Sequence, residues 1–154
     1  PTIPGANIAA LSARGLGDDE PANDIILFSI SDQQPVILGG TPFHRGDIIA
    51  YYPDTGVYAL KVDTEAILDH PNLVLDCLAV LSDPDDPRLL LSFDVDPVTG
   101  TDKGPIKSQD IAIWNPEDDS ITLHISMSED TWVIGSGTAL LIVSWEIDPY
   151  LLGD

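Results

Sequence analysis

Residues 46–60 read Gly46-Asp47-Ile48-Ile49-Ala50-Tyr51-Tyr52-Pro53-Asp54-Thr55-Gly56-Val57-Tyr58-Ala59-Leu60. Two strand-like runs, Asp47–Tyr52 and Val57–Val62, flank the tetrapeptide Pro53–Gly56. Pro53 stands where a turn needs a φ of about −65°, and Gly56 stands where φ can turn positive. In the second run Tyr58, Leu60 and Val62 alternate with Val57, Ala59 and Lys61, the period of a half-buried strand. The stretch therefore predicts a β-hairpin.

The same pattern returns 63 residues later. Asn115-Pro116-Glu117-Asp118-Asp119 joins Asp110–Trp114 to Ile121–Ser126, with Asp119 in the place of Gly56. Extended in both directions, residues 26–63 align with 89–126 without a gap. Ser29 falls on Ser92, Pro42 on Pro105, Asp47 on Asp110, Ile48 on Ile111, Pro53 on Pro116 and Leu60 on Leu123. Ile30 falls on Phe93, Phe43 on Ile106, Tyr51 on Trp114 and Tyr58 on Ile121. With four residues inserted in the first copy, Ile8-Ala9-Ala10-Leu11 matches Leu75-Asp76-Cys77-Leu78. A third, partial echo at Leu141–Asp148 mirrors Leu89–Asp96.

Asp24–Ile30, Leu73–Leu81, Leu89–Val95 and Thr138–Ile147 read as further strands, and only Thr64–His70 reads as a short helix. The expectation is an all-β fold, residues 1–154 forming one domain with internal repeats at about 8–74 and 75–148. Each repeat holds about four strands, the content of a propeller blade, with a β-sandwich as the alternative packing.

The run Gly46–Leu60, followed by Arg88-Leu89-Leu90-Leu91-Ser92-Phe93-Asp94, resembles the tandem β-propeller-like repeats of large secreted bacterial surface proteins. Those read approximately D-I-x-x-Y-x-P-x-T-G and then L-L-L-S-F-D. The resemblance covers most of residues 24–126 and implies an extracellular, non-catalytic setting. The second turn departs from it by lacking the glycine, and residues 127–139 do not follow it. Two units and a fraction are too few to close a propeller ring, and a lone pair would expose sheet edges. A homo-oligomer or polymer, or a sandwich of the two units, answers that problem.

Composition narrows the function. The net charge is −20, and the six basic residues are scattered, so no patch exists to neutralise nucleic acid phosphates or an anionic membrane. The acid is 21 Asp against 5 Glu, a bias toward turns, caps and oxygen-rich cation sites. No apolar run has the length of a membrane-spanning helix. The lone Cys77 rules out an intrachain disulfide, and its apolar strand predicts burial as a small hydrophobe. The chain opens on Pro1 rather than Met, which points to removal of a secretory leader or to a boundary cut inside a longer chain.

Candidate Ca²⁺ ligands are the loop carboxylates Asp83, Asp85 and Asp86, and Asp94, Asp96 and Asp102; Asp18, Asp19 and Glu20 form a third acidic loop. None has EF-hand spacing, and solvated turn residues are the competing reading. Asp47 and Asp110, equivalent at strand starts, read as structural caps on the neighbouring loop rather than ligands. His44, His70 and His124 lack the spacing of a zinc site. Trp132 and Trp145, with Tyr52 and Tyr58, offer flat faces for a sugar ring, against which stands core packing. Ser136 in Gly135-Ser136-Gly137 lacks the spacing of a nucleophile elbow.

The sequence thus leads to a non-catalytic, secreted structural or adhesive module that self-assembles, with cation bridging in a filament or surface layer. A glycan-binding module completed by oligomerisation is the alternative. A secreted hydrolase using a carboxylate pair, and an ordinary protein of a salty milieu, follow behind it.

Overall fold

The computed structural model describes residues 6–14, 24–71, 73–81, 88–94, 105–108 and 110–126. Among the described residues ten strands and one short helix follow in order: β1 (Ile8–Arg14), β2 (Ile25–Ile30), β3 (Val36–Leu38), β4 (Thr41–Phe43), β5 (Ile48–Tyr52), β6 (Val57–Val62), α1 (Thr64–Leu68), β7 (Leu75–Val80), β8 (Leu89–Phe93), β9 (Ile111–Asn115) and β10 (Ser120–Ile125). The fold is all-β. The strands expected at 24–30, 47–52, 57–62, 73–81, 89–95, 110–114 and 121–126 are present, trimmed or shifted by up to two residues at their ends. The strand expected at 138–147 lies outside the described residues.

The two copies of the repeat are two four-stranded antiparallel sheets. The first has the order β1-β2-β5-β6 and the second β7-β8-β9-β10. Their registers coincide pair by pair. Tyr51 faces Tyr58 as Trp114 faces Ile121, and Phe28 faces Ile49 as Leu91 faces Ala112. Even the irregularities recur. The register shifts between Ile8 and Ala10 and again between Leu75 and Cys77; it shifts between Ile48 and Ile49, and likewise across Leu123 and Ile125. A bulge adds one residue and local twist, and both sheets carry it at equivalent positions.

The expected turns form. Both Thr55 N and Gly56 N donate to Tyr52 O, at 3.3 and 2.8 Å, and Gly56 has φ 69°. Asp119, in the place of that glycine, also lies in the left-handed region at φ 52°. Aspartate is among the few residues that tolerate it. One element escaped the sequence reading. The hairpin β3–β4 is inserted between the second and third strands of the first unit, turned by Gly39 and Gly40 at φ 57° and 87°. Helix α1 is capped by Asp63, whose side chain accepts from Ala66 N at 2.9 Å, and it ends at Asp69 with φ 46°.

Cross-strand partners share a sheet face, so each unit has two distinct apolar faces. The back of the first unit (Ala10, Leu27, Ile48, Ala50, Val62) and the front of the second (Leu75, Leu78, Leu89, Leu91, Phe93, Ile106, Ala112, Trp114, Ile121) form one core. Residues of the first unit equivalent to that front, Phe28, Ile30, Phe43 and Ile49, form a separate cluster with Leu38 of the hairpin. The units therefore pack front to back rather than front to front. Polar contacts cross the junction as well: Val80 N donates to Ser12 Oγ at 3.3 Å, and the Lys61 ammonium sits 5.4 Å from the Trp114 ring centroid. The Lys61 contact is in cation–π range.

Candidate functional site

Asp47 and Asp110 are built alike. Asp47 Oδ2 accepts from His44 N at 2.7 Å, and its own N–H donates to His44 O at 3.2 Å. Asp110 Oδ2 accepts from Lys107 N at 2.9 Å, and its N–H donates to Lys107 O at 2.9 Å. Each carboxylate closes the loop that leads into the third strand of its unit, the capping role expected from the sequence. Both are buried. Burial pushes the Asp47 carboxyl above its ordinary range, against the lowering effect of the His44 amide. Asp110 Oδ1 also accepts from Ser126 Oγ at 3.3 Å.

Of the candidate calcium ligands only Asp94 is described. It is exposed, just past β8, and its N–H donates to Val74 O at 3.0 Å. Asp83, Asp85, Asp86, Asp96 and Asp102 lie outside the described residues, as do Asp18, Asp19, Glu20, Ser136, Trp132 and Trp145. Among the described residues no group of three or more His, Cys, Asp or Glu is placed to hold a metal ion. Among them, too, no helix is long and apolar enough to cross a membrane.

The tyrosines pack on one another and on the core. Tyr58 lies 4.7 Å from Tyr51 and edge-on to Phe28 at 6.4 Å between ring centroids, and Tyr52 packs against the junction core. Trp114 is buried, and its indole Nε1–H donates to Asp119 Oδ1 at 2.9 Å. Cys77 is half-buried rather than buried, because it lies on the back of the second unit, away from the junction; burial still raises its thiol pKa. Ser29 and Ser92, identical in the two copies, are fully buried with no hydrogen-bond partner for either hydroxyl. Each such orphaned group costs about 1–3 kcal/mol, and it is incurred twice.

The sequence reading missed the inequality between the two fronts. Leu11, Phe28, Ile49 and Leu60 form one row across the first sheet, and Leu78, Leu91, Ala112 and Leu123 form the same row across the second. In the second unit Leu78 is 3% exposed, and its neighbour Leu75 is 0% exposed. Their counterparts Leu11 and Ile8 are 60% and 48% exposed, and Leu60 is 51% exposed where Leu123 packs on the junction core. The signal lay in the alignment itself: apolar residues recur at these positions, although the first copy has no preceding unit within the described residues to cover them.

Comparisons of the chain with protein-family models, with curated proteins and with solved structures give no match. The fold itself defines the class: an all-β protein whose described residues form two stacked four-stranded antiparallel units.

Proposed function

We propose that this protein is a non-catalytic structural or adhesive module of the extracellular space, which self-assembles and whose copies are bridged by divalent cations. The observation that carries the reading is the front-to-back junction. A contact between two unlike faces leaves one of each kind at the ends of the pair, a geometry that extends into rings or filaments. The recurrent polar residues fit a structural role, because Asp47 and Asp110 are each committed to a backbone loop.

The charge of −20 opposes association of copies, and calcium on aspartate-rich loops would offset it. The extracellular setting draws on the resemblance of Gly46–Leu60 and Arg88–Asp94 to secreted repeat proteins. Native mass spectrometry of the full chain with and without calcium tests the reading. The expected result is a distribution of multiples of the 16.5 kDa chain that grows with calcium, and a melting temperature lowered by EDTA. A single chain mass at every concentration would remove self-assembly, and an unchanged melt in EDTA would remove the cation.

A further inference from the structure

We propose that the front of the first unit receives the back of the second unit of another copy of this chain, so that copies join head to tail through a repetition of the junction inside each one. This rests on the self-assembly reading above and names its surfaces.

The internal junction supplies the occupant. There, a front built on Leu75, Leu78, Leu91 and Trp114 is covered by a back built on Ala10, Leu27, Ile48, Ala50 and Val62. The first unit presents the same kind of front, with Ile8, Leu11 and Leu60 open to solvent. The hairpin β3–β4 covers the middle of that front through Leu38 and Phe43, and turns the exposed Ile37 and Pro42 outward. Four of the five large exposed apolar side chains among the described residues thus belong to this front and its hairpin.

The complementary surface is the back of the second unit. Leu90, Ile111, Ile113 and Ile125 stand at the positions of Leu27, Ile48, Ala50 and Val62, and Cys77 stands at that of Ala10. All are apolar or nearly so and none belongs to either core cluster; Ile111 and Ile113 at the centre are buried, whereas Leu90, Cys77 and Ile125 around them are half-buried. A front needs a back of this chemistry, and a second copy carries one.

Cys77, the one cysteine of the chain, reports on the back, and substitutions at Leu11 and Leu60 address the front. The full chain is followed by sedimentation velocity and by thiol alkylation over a range of concentrations. Wild type is expected to sediment as growing oligomers while the alkylation rate of Cys77 falls. Leu11→Lys and Leu60→Lys are expected to weaken association by about tenfold or more and to keep Cys77 reactive. Lysine lowers the net negative charge, so the loss would not come from added repulsion. Unchanged melting temperatures establish that both variants fold. Val57→Lys, exposed on the opposite face of β6, should behave as wild type. Oligomers that survive both front substitutions overturn this inference and leave self-assembly standing, whereas a monomer throughout overturns both. Equal disruption by Val57→Lys, or a Cys77 thiol that is unreactive in the monomer, also overturns the assignment of faces.

Discussion

The two units share four strands, their register and their bulges, yet the front of the second is buried against its neighbour, whereas the front of the first is covered only at its middle, by the hairpin β3–β4, and is open at its edges. Leu78 and Leu11 occupy the same position opposite Leu91 and Phe28. Leu78 touches the back of a neighbouring unit, whereas Leu11 meets solvent. The difference comes from position in the stack and not from local sequence. A residue's worth in a repeat protein is set by its neighbours, and nearest-neighbour interfaces dominate the stability of such arrays.

Truncating the pair gives the largest expected contrast. Leu78→Ala should cost about 2–5 kcal/mol through lost burial and a residual cavity, and Leu11→Ala less than about 0.5 kcal/mol in the monomer. Chemical denaturation of both variants measures this, and equal losses would break the comparison.

The two hairpin turns sharpen it. Asp119 does two jobs, occupying a positive φ and accepting the Trp114 indole N–H, whereas Gly56 does only the first. Asp119→Ala should cost about 1–3 kcal/mol, more than Gly56→Ala at roughly 1 kcal/mol, and Asp119→Asn should recover most of the loss. Thermal melts with tryptophan fluorescence distinguish the three. A larger loss for Gly56→Ala would mean that the indole contact contributes nothing.

The smallest expected effect lies in the loop clamps. Because burial raises the Asp47 pKa in the fold, the folded state binds more protons than the unfolded chain between the unfolded and folded pKa values. Stability from this group is complete below the unfolded value and is lost as pH rises through the folded value. Asp47→Asn keeps an oxygen for the His44 amide and removes the ionisation. Its stability should fall less than that of wild type as pH rises from acid to neutral. Parallel pH–stability curves for the two proteins would exclude Asp47 as a contributor.

Much of the architecture was legible because the repeat aligns without a gap over 26–63 and 89–126, and register follows alignment. Turn chemistry at Pro53–Gly56 placed the hairpins, and the paired aspartates read correctly as caps. The hairpin β3–β4 was missed because three-residue strands show no periodicity, although Leu38-Gly39-Gly40-Thr41 carries a two-glycine turn signal. The bulges were hidden for a different reason: an extra residue within an unbroken run leaves no mark on composition. Front-to-back packing was not legible either. Both faces of each sheet are apolar, so alternation cannot say which face meets which neighbour. The candidate calcium site was read from aspartate clustering, and of its six residues only Asp94 is placed.

Gly46 has a consequence beyond the turn it occupies. Its φ is 81°, its N–H donates to Ile30 O at 3.1 Å, and its carbonyl accepts from Thr64 Oγ1 at 2.8 Å. A Cβ there would come within 2.8 Å of Leu73 O, on the segment that carries the chain from the first sheet to the second. The connecting chain thus crosses directly over a bare backbone, pinned on one side by a hydroxyl and allowed close on the other by a missing methyl. Any side chain at this crossing would force the connecting segment, which leads into the second sheet, to shift. In the proposed line of joined copies such a change would recur once per chain and add up, so residue 46 would set the pitch of that assembly.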